Sequence, residues 1–106
     1  MDGGTSRGTL LIIDDDELFC DATAEYLQDL SMNVLSRHRG DAGLEVCLER
    51  RVDVVILDQN LPDAQGHTLC PRILEANEHT KIIFVTAHPS FDTAVKGLKT
   101  GASDYL

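Results

Sequence analysis

Acidic side chains gather directly after two of the most apolar runs in the sequence. Asp14 and Asp15 follow the run Thr9–Ile13, and Asp58 follows the run Val52–Leu57. Carboxylates held within a few ångströms repel one another, and a nearby cation relieves that repulsion. Mg²⁺ suits a shallow site of two or three carboxylates, a carbonyl and retained waters. If the two runs are neighbouring strands, the pattern predicts a magnesium site.

Four short apolar runs, at similar spacing, predict strands of a parallel sheet, buried on both faces. They are Thr9–Ile13, Met32–Ser36, Val52–Leu57 and Lys81–Val85, and Met32–Ser36 is polar enough to indicate a sheet edge. Helical patterns lie between them, and Ser103–Leu106 resembles the start of a fifth strand. This alternation predicts an α/β fold, a doubly wound parallel sheet with right-handed crossovers and helices on both faces.

The first helix carries apolar residues at helical spacing. They are Leu18, Phe19, Ala22, Tyr26, Leu27 and Leu30. We interpret Leu18, Ala22 and Tyr26 as core rather than as a docking surface.

The starts of the other helices are predicted from capping residues. Asp41 can cap the second helix. Thr68 can cap the third, which would place Pro71 at the third helical position. Pro89 and Ser90 open the predicted fourth helix.

Ligands of an open parallel sheet bind beyond the carboxyl ends of its strands. Asp14, Asp15 and Asp58 are therefore expected at one edge, together with Thr86 after the fourth run. A threonine hydroxyl beside a metal–carboxylate centre can donate to a phosphoryl oxygen. Asp16, in contrast, is interpreted as part of the start of the first helix, where negative charge is favourable.

Composition excludes several classes of function. Eighteen acidic and nine basic residues give a net charge of −9, the opposite of a nucleic-acid binder. No apolar run approaches the roughly 20 residues that cross a membrane. An odd number of widely spaced cysteines (Cys20, Cys47, Cys70) indicates core residues in a reducing cytoplasm. Residues 1–8 are predicted to be a disordered segment, and residues 9–106 a single domain.

Four motifs in the right order resemble the receiver domain of two-component response regulators. They are L-L-I-I-D-D-D-E, V-V-I-L-D-Q-N-L-P-D-A-Q-G, I-I-F-V-T-A-H and G-A-S-D-Y-L. The resemblance covers Thr9 to Leu106, and two segments look closest to receivers of nitrogen-regulation-type transcription activators. It implies a flavodoxin-like strand order of 2-1-3-4-5 and a signalling domain rather than an enzyme, with weak self-dephosphorylation at most.

The resemblance also implies roles for individual residues. Asp58 matches the aspartate that accepts a phosphoryl group from the phosphohistidine of a sensor histidine kinase. Asp15 would ligate Mg²⁺ directly, Asp14 largely through water, and Asn60 through its backbone carbonyl. Pro62 and Gly66 match the turn that follows the phosphoacceptor.

Switching and output are implied in the same way. Thr86 matches the hydroxyl that senses the phosphoryl group, and Tyr105 matches the aromatic residue that turns inward in response. Receivers carry a lysine beyond the D-Y-L stretch and then a fifth helix, whereas this sequence ends at Leu106. We therefore expect a shortened fifth strand, no last helix, and self-association as a homodimer. The implied partner besides the kinase is an output domain, such as a DNA-binding transcription activator.

Two other readings use the same residues. In a phosphatase of the haloacid-dehalogenase type, Asp14 would be the nucleophile, Asp16 the general acid and Asp58 an accessory. In a pseudo-receiver, the domain would bind a partner without being phosphorylated. The receiver, the phosphatase and the pseudo-receiver interpretations predict a phosphoryl label on different aspartates, or on none.

Overall fold

The computed structural model describes residues 8–27, 32–85 and 104–105, the last pair as strand backbone only. Within these ranges the chain forms a parallel sheet of five strands in the order β2-β1-β3-β4-β5. The strands are β1 Thr9–Ile13, β2 Asn33–Arg37, β3 Val54–Asp58, β4 Lys81–Val85 and β5 Asp104–Tyr105. The predicted fold class and strand order are confirmed, and β2 lies at an edge.

Three helices connect the first four strands: α1 Glu17–Leu27, α2 Gly40–Glu49 and α3 Gly66–Ala76. None of the helices in the described ranges is long and apolar enough to cross a membrane. The predicted fourth helix lies outside the described residues, as do residues 1–7 of the predicted N-terminal segment.

The two faces of the sheet are buried in separate cores because side chains alternate along each strand. Leu11, Leu57 and Phe84 are fully buried in the larger core, which α2 and α3 cover. Ile12 points to the opposite face and packs with Cys20 of α1. A slip of one residue between strands would exchange these faces, so the burial of both fixes the register of the sheet. All three cysteines are buried, as predicted.

The predicted core stripe of α1 is wrong at three positions. Leu18 is 81% exposed and Tyr26 is 85% exposed, and Ala22 between them is exposed too. The helix instead turns Cys20 to the sheet, with Phe19 and other partly buried residues beside it. An apolar stripe four residues apart therefore faces solvent along α1.

The predicted helix starts also need correction. Asp41 lies inside the first turn of α2, because the N-cap position is Arg39. The third helix begins at Gly66, so Thr68 lies inside it and its hydroxyl donates to the carbonyl of Gln65. Pro71 consequently lies in the interior of α3 instead of its first turn.

Candidate metal and phosphoryl site

The register of β1 and β3 brings the acidic side chains together at the carboxyl edge of the sheet. Ile13 pairs with Leu57, so Asp14, which follows β1, lies beside Asp58, the last residue of β3. Carboxylate oxygens of Asp14, Asp15 and Asp58 all lie within 4.8 Å of one another. The structure thus brings together the three carboxylates that the sequence predicted to meet.

The three carboxylates differ in solvent exposure, from a buried side chain to an exposed one. Asp14 is buried at 8% exposure, Asp58 is partly buried and Asp15 is exposed. A ligand that arrives from solvent can therefore reach Asp15 and Asp58, while Asp14 forms the base of the site.

Hydrogen bonds with the end of β2 and with the loop before α1 hold Asp14 in place. Its backbone N–H donates to the carbonyl of Arg37 at 3.0 Å, which ties it to the end of β2. Its side-chain Oδ1 accepts the N–H of Asp16 at 2.9 Å. Asp16 in turn accepts the N–H of Phe19 at 3.1 Å, which confirms the predicted role of Asp16 at the start of α1.

Burial and mutual repulsion disfavour the charged forms of these acids. The pKa of Asp58 is raised to about 6, first by burial and then by the negative charges of Asp14 and Asp15. Backbone N–H groups, chiefly that of Asn60, oppose this shift. The pKa of Asp14 is raised as well, mainly because the carboxyl is buried. A cation between the carboxylates would remove both penalties.

The loop after β3 folds back on itself directly behind Asp58. The N–H of Asn60 donates to Oδ1 of Asp58 at 3.2 Å, and Asn60 forms an antiparallel bridge with Gln65. The N–H of Gly66 then donates to the carbonyl of Gln59 at 2.8 Å. A Cβ on Gly66 would lie 2.6 Å from the carbonyl oxygen of Asp58, so this turn requires glycine.

The donor set fits a hard divalent cation. It offers carboxylate oxygens from three residues at one exposed edge, and burial together with neighbouring negative charges raises the pKa of Asp58 and of Asp14. Oxygen ligands with room for water are what Mg²⁺ and Ca²⁺ take in proteins. Asn60 lies next to the cluster, as the resemblance implied.

Thr86 and the side chain of Tyr105 lie outside the described part of the chain. Thr86 lies outside the described residues, although it follows Val85, which pairs with Asp58. Tyr105 is described as part of β5, where it pairs with Phe84, but its side chain is not. Their roles as sensing hydroxyl and switch aromatic stay predictions.

Sequence reasoning missed two polar contacts around the site. Asp63, in the loop after β3, accepts the N–H groups of Gly40 and Asp41 at the start of α2. Behind Asp58, the buried amide of Gln59 lies 2.7 Å from Nδ1 of His67. No local sequence pattern indicates either contact. Asp63 lies more than 20 residues from its partners at the start of α2, and Gln59 lies in a loop whereas His67 lies in a helix.

Fold and site together define a response regulator receiver domain, and comparison with known proteins agrees. The family model described as "Response regulator receiver domain" matches residues 10–106. The chain belongs to this family, whose members are signalling domains rather than enzymes.

Curated relatives and a solved structure are similar to the chain over nearly its whole length. The transcriptional regulatory protein CutR of Streptomyces coelicolor is 36% identical, over 92% of this chain and 45% of CutR. ZraR of Escherichia coli O157:H7, of the nitrogen-regulation type, is 34% identical over 92% of this chain and 22% of ZraR. The chain thus spans less than half the length of these relatives.

A response regulator of Burkholderia pseudomallei shares the fold, with a TM-score of 0.89 and 27% identity. The match covers 93% of this chain and 58% of that one. That crystal structure contains a phosphorylated aspartic acid and a calcium ion. The comparisons do not favour the phosphatase reading, and in this structure Asp16, its general acid, accepts a helix N–H instead.

Proposed function

We propose that the chain accepts a phosphoryl group on Asp58 from the phosphohistidine of a sensor histidine kinase, in a reaction that depends on Mg²⁺. The observation that carries this proposal is the cluster of Asp14, Asp15 and Asp58 at the end of paired strands, with Asp58 accessible from solvent. The phosphorylated aspartic acid of the similar Burkholderia protein supports it.

In this reaction an oxygen of Asp58 attacks phosphorus as the bond between phosphorus and the histidine nitrogen breaks. The electron pair of that bond stays on the imidazole of the kinase. The N–H of Asn60 donates to Oδ1 of Asp58 at 3.2 Å and helps to orient the attacking carboxylate. Backbone donors and positive charge stabilise the charge that develops on the equatorial oxygens.

Mg²⁺ would be held by Asp15 and Asp58 directly, by Asp14 largely through water, and by the carbonyl of Asn60. Bound there, it would reduce the repulsion between the Asp58 carboxylate and the incoming phosphoryl dianion. Thr86 would donate its hydroxyl to the phosphoryl group, and Tyr105 would turn inward as that hydroxyl moves. The result is a population shift between two conformations, and water later hydrolyses the acyl phosphate.

The partner surface for the kinase is the exposed stripe on α1. Leu18, Ala22 and Tyr26 line up one turn apart along α1, which begins two residues after Asp15, and acidic residues flank them. These are Glu17, Asp21 and Glu25. An apolar stripe with an acidic border suits a helical partner surface that is apolar and basic.

Residues 9–106 form the receiver, preceded by the segment 1–8, in a protein that regulates transcription through an output domain. The lengths of CutR and ZraR support this arrangement, because each relative extends well beyond its match to the chain. The buried thiols agree with a reducing cytoplasm.

The test is phosphorylation by phosphoramidate, which carries a P–N bond, with and without Mg²⁺. Intact mass would report addition of a phosphoryl group, and borohydride trapping would locate it. We expect label on Asp58 that requires Mg²⁺, disappears in Asp58→Asn and persists in Asp21→Asn, an exposed control on α1.

Other outcomes point to the other readings. Label on Asp14 would favour a phosphatase, and absence of label both in this chain and in one extended beyond Leu106 would favour a pseudo-receiver.

A further inference from the structure

The start of α2 is capped from another part of the chain. Carboxylate oxygens of Asp63 accept the N–H of Gly40 at 2.7 Å and the N–H of Asp41 at 2.8 Å. Among the described residues, Arg39 at the N-cap position makes no such side-chain bond. The first N–H groups of a helix need partners, so Asp63 supplies the acceptors that the N-cap residue itself does not.

The same loop carries Asn60 at its base and Asp63 near its tip. The base is fixed by the bridge between Asn60 and Gln65, and the turn by the bond from Leu61 N–H to the carbonyl of Ala64 at 3.1 Å. The two bonds of Asp63 are therefore an anchor between the tip of this loop and α2.

Packing and charge reinforce this anchor. A Cβ on Gly40 would lie 2.7 Å from Cδ1 of Leu69 and 3.3 Å from the Asp63 carboxylate, so α2 and the loop approach as closely as glycine allows. Nη2 of Arg39 lies 3.8 Å from Oδ2 of Asp63. The N–H groups of Gly40 and Asp41 hold the pKa of Asp63 below its usual value, so this carboxylate is charged at neutral pH.

We infer that Asp63 is a positioning residue for the metal site: by tying the β3–α3 loop to the start of α2, it holds Asn60 where its carbonyl can meet a cation bound by Asp15 and Asp58. The inference rests on the proposed function, since it assigns Asn60 to the metal site. Asp63 itself would not contact the cation. Without its carboxylate, the loop would populate the binding conformation less, and apparent affinity falls in proportion to that population.

The experiment compares Asp63→Ala with Asp41→Ala in the metal-free chain and in a Mg²⁺ titration. Both variants remove one negative charge at the start of α2, but the side chain of Asp41 bonds Ala42 and Arg39, at the start of α2 itself, rather than the loop. The backbone N–H of residue 41, which donates to Asp63, is kept in Asp41→Ala. The dissociation constant for Mg²⁺ would be measured by calorimetry. Amide hydrogen exchange would be followed at Gly40, Asp41 and Asn60.

We expect Asp63→Ala to weaken Mg²⁺ binding about fivefold, the size of one lost helix cap, and to speed exchange at Asn60 as well as at Gly40. Asp41→Ala should change the dissociation constant less than about twofold. Asp63→Asn, which keeps an oxygen acceptor, should lie between the two. An unfolding curve for each variant would confirm that the chain stays folded under the assay conditions.

The inference is overturned if Asp63→Ala binds Mg²⁺ like Asp41→Ala, or if exchange rises at Gly40 and Asp41 but not at Asn60. Either result would make Asp63 a structural cap alone. Failure of the proposed function has a different signature, because the wild-type chain itself would then bind no Mg²⁺ and take no label on Asp58.

Discussion

The carboxyl groups of Asp14 and Asp58 lie side by side at the ends of two paired strands, with oxygen atoms within 4.8 Å of each other. This proximity is unfavourable for the protein when no cation is present, since Asp14 is buried, Asp58 is partly buried, and the charge of Asp14 raises the pKa of Asp58. A site built to bind a cation thus costs stability until the cation arrives.

Neutralising Asp58 should stabilise the metal-free protein. The pKa of Asp58 is about 6 in the folded chain against a reference value of 3.8, so its ionisation opposes folding at neutral pH. We expect Asp58→Asn to raise the free energy of unfolding at pH 7 by about 1–3 kcal/mol. The measurement is urea denaturation at a series of pH values.

The stability gain of Asp58→Asn should depend on pH in a specific direction, which tests this prediction further. As the pH falls through 6, wild-type Asp58 takes up a proton in the folded state, so the advantage of Asp58→Asn should shrink. It should vanish below about pH 4, where the carboxyl is protonated in both states. Asp21→Asn, which removes an exposed carboxyl, should show no comparable gain. Equal or lower stability of Asp58→Asn at pH 7 would contradict the account.

Magnesium binding should compete with protons. A cation needs ionised carboxylates, and the pKa of Asp58 is raised to about 6, so below that pH Mg²⁺ must displace a proton from Asp58. Burial raises the pKa of Asp14 as well. We expect the apparent dissociation constant for Mg²⁺ to rise about tenfold between pH 7 and pH 5, as calorimetry would report.

The thermal midpoint offers a second measure of the same competition. It should rise with Mg²⁺ at pH 7 and return to the metal-free value when EDTA is added. The Mg²⁺ effect should be much smaller at pH 5. An affinity independent of pH between 5 and 7 would mean that these carboxyls are not the ligands.

The carboxylate cluster was predictable from sequence, because strand ends in a parallel sheet converge whatever the loops do. Asp14, Asp15 and Asp58 each lie at or next to the end of a clearly apolar run, and the strand register then fixes their neighbourhood. The roles of Asn60 and Tyr105 came from family resemblance, since nothing in their spacing alone distinguishes them. Thr86, in contrast, was also indicated by its position after the fourth apolar run.

The orientation of α1 and the cap of α2 were not predictable in the same way. Along α1, Leu18, Ala22 and Tyr26 repeat as regularly as the residues that face the sheet, and only packing decides which stripe is buried. At α2, a local rule selects Asp41, whereas the structure uses Asp63 from a loop 23 residues beyond Gly40. Both errors come from tertiary contacts that local patterns do not encode.

Gly66 should not tolerate a side chain. A Cβ there would lie 2.6 Å from the carbonyl oxygen of Asp58 and 3.0 Å from Cα of Gln59, and backbone cannot move aside as a side chain can. We expect Gly66→Ala to lower the free energy of unfolding by about 1–3 kcal/mol. It should also slow phosphorylation of Asp58, because the clash falls on that residue.

Gly43→Ala is the matched control for this substitution. Its Cβ would also be crowded, but by the side chain of Ile13, and alanine favours the helix interior by about 1 kcal/mol. Urea denaturation should therefore show a smaller loss for Gly43→Ala than for Gly66→Ala. The reverse order would show that the loop behind Asp58 can shift.

A substitution in the exposed stripe of α1 should weaken recognition by the kinase without lowering the stability of the fold. Leu18 is 81% exposed, so Leu18→Asp should change the free energy of unfolding by no more than about 0.5 kcal/mol. Phosphorylation by phosphoramidate should also be unchanged. Transfer from a histidine kinase that phosphorylates the wild-type chain should fall about tenfold, as expected for loss of an interface anchor.

Leu48→Asp provides the control, because Leu48 is 67% exposed and lies on α2. The same charge is introduced there away from the stripe, so kinase transfer should stay close to the wild-type rate. Equal transfer rates for Leu18→Asp and Leu48→Asp would remove α1 as the docking surface. A loss of 2 kcal/mol or more on unfolding of Leu18→Asp, roughly what a buried leucine costs, would instead show that the stripe belongs to the core.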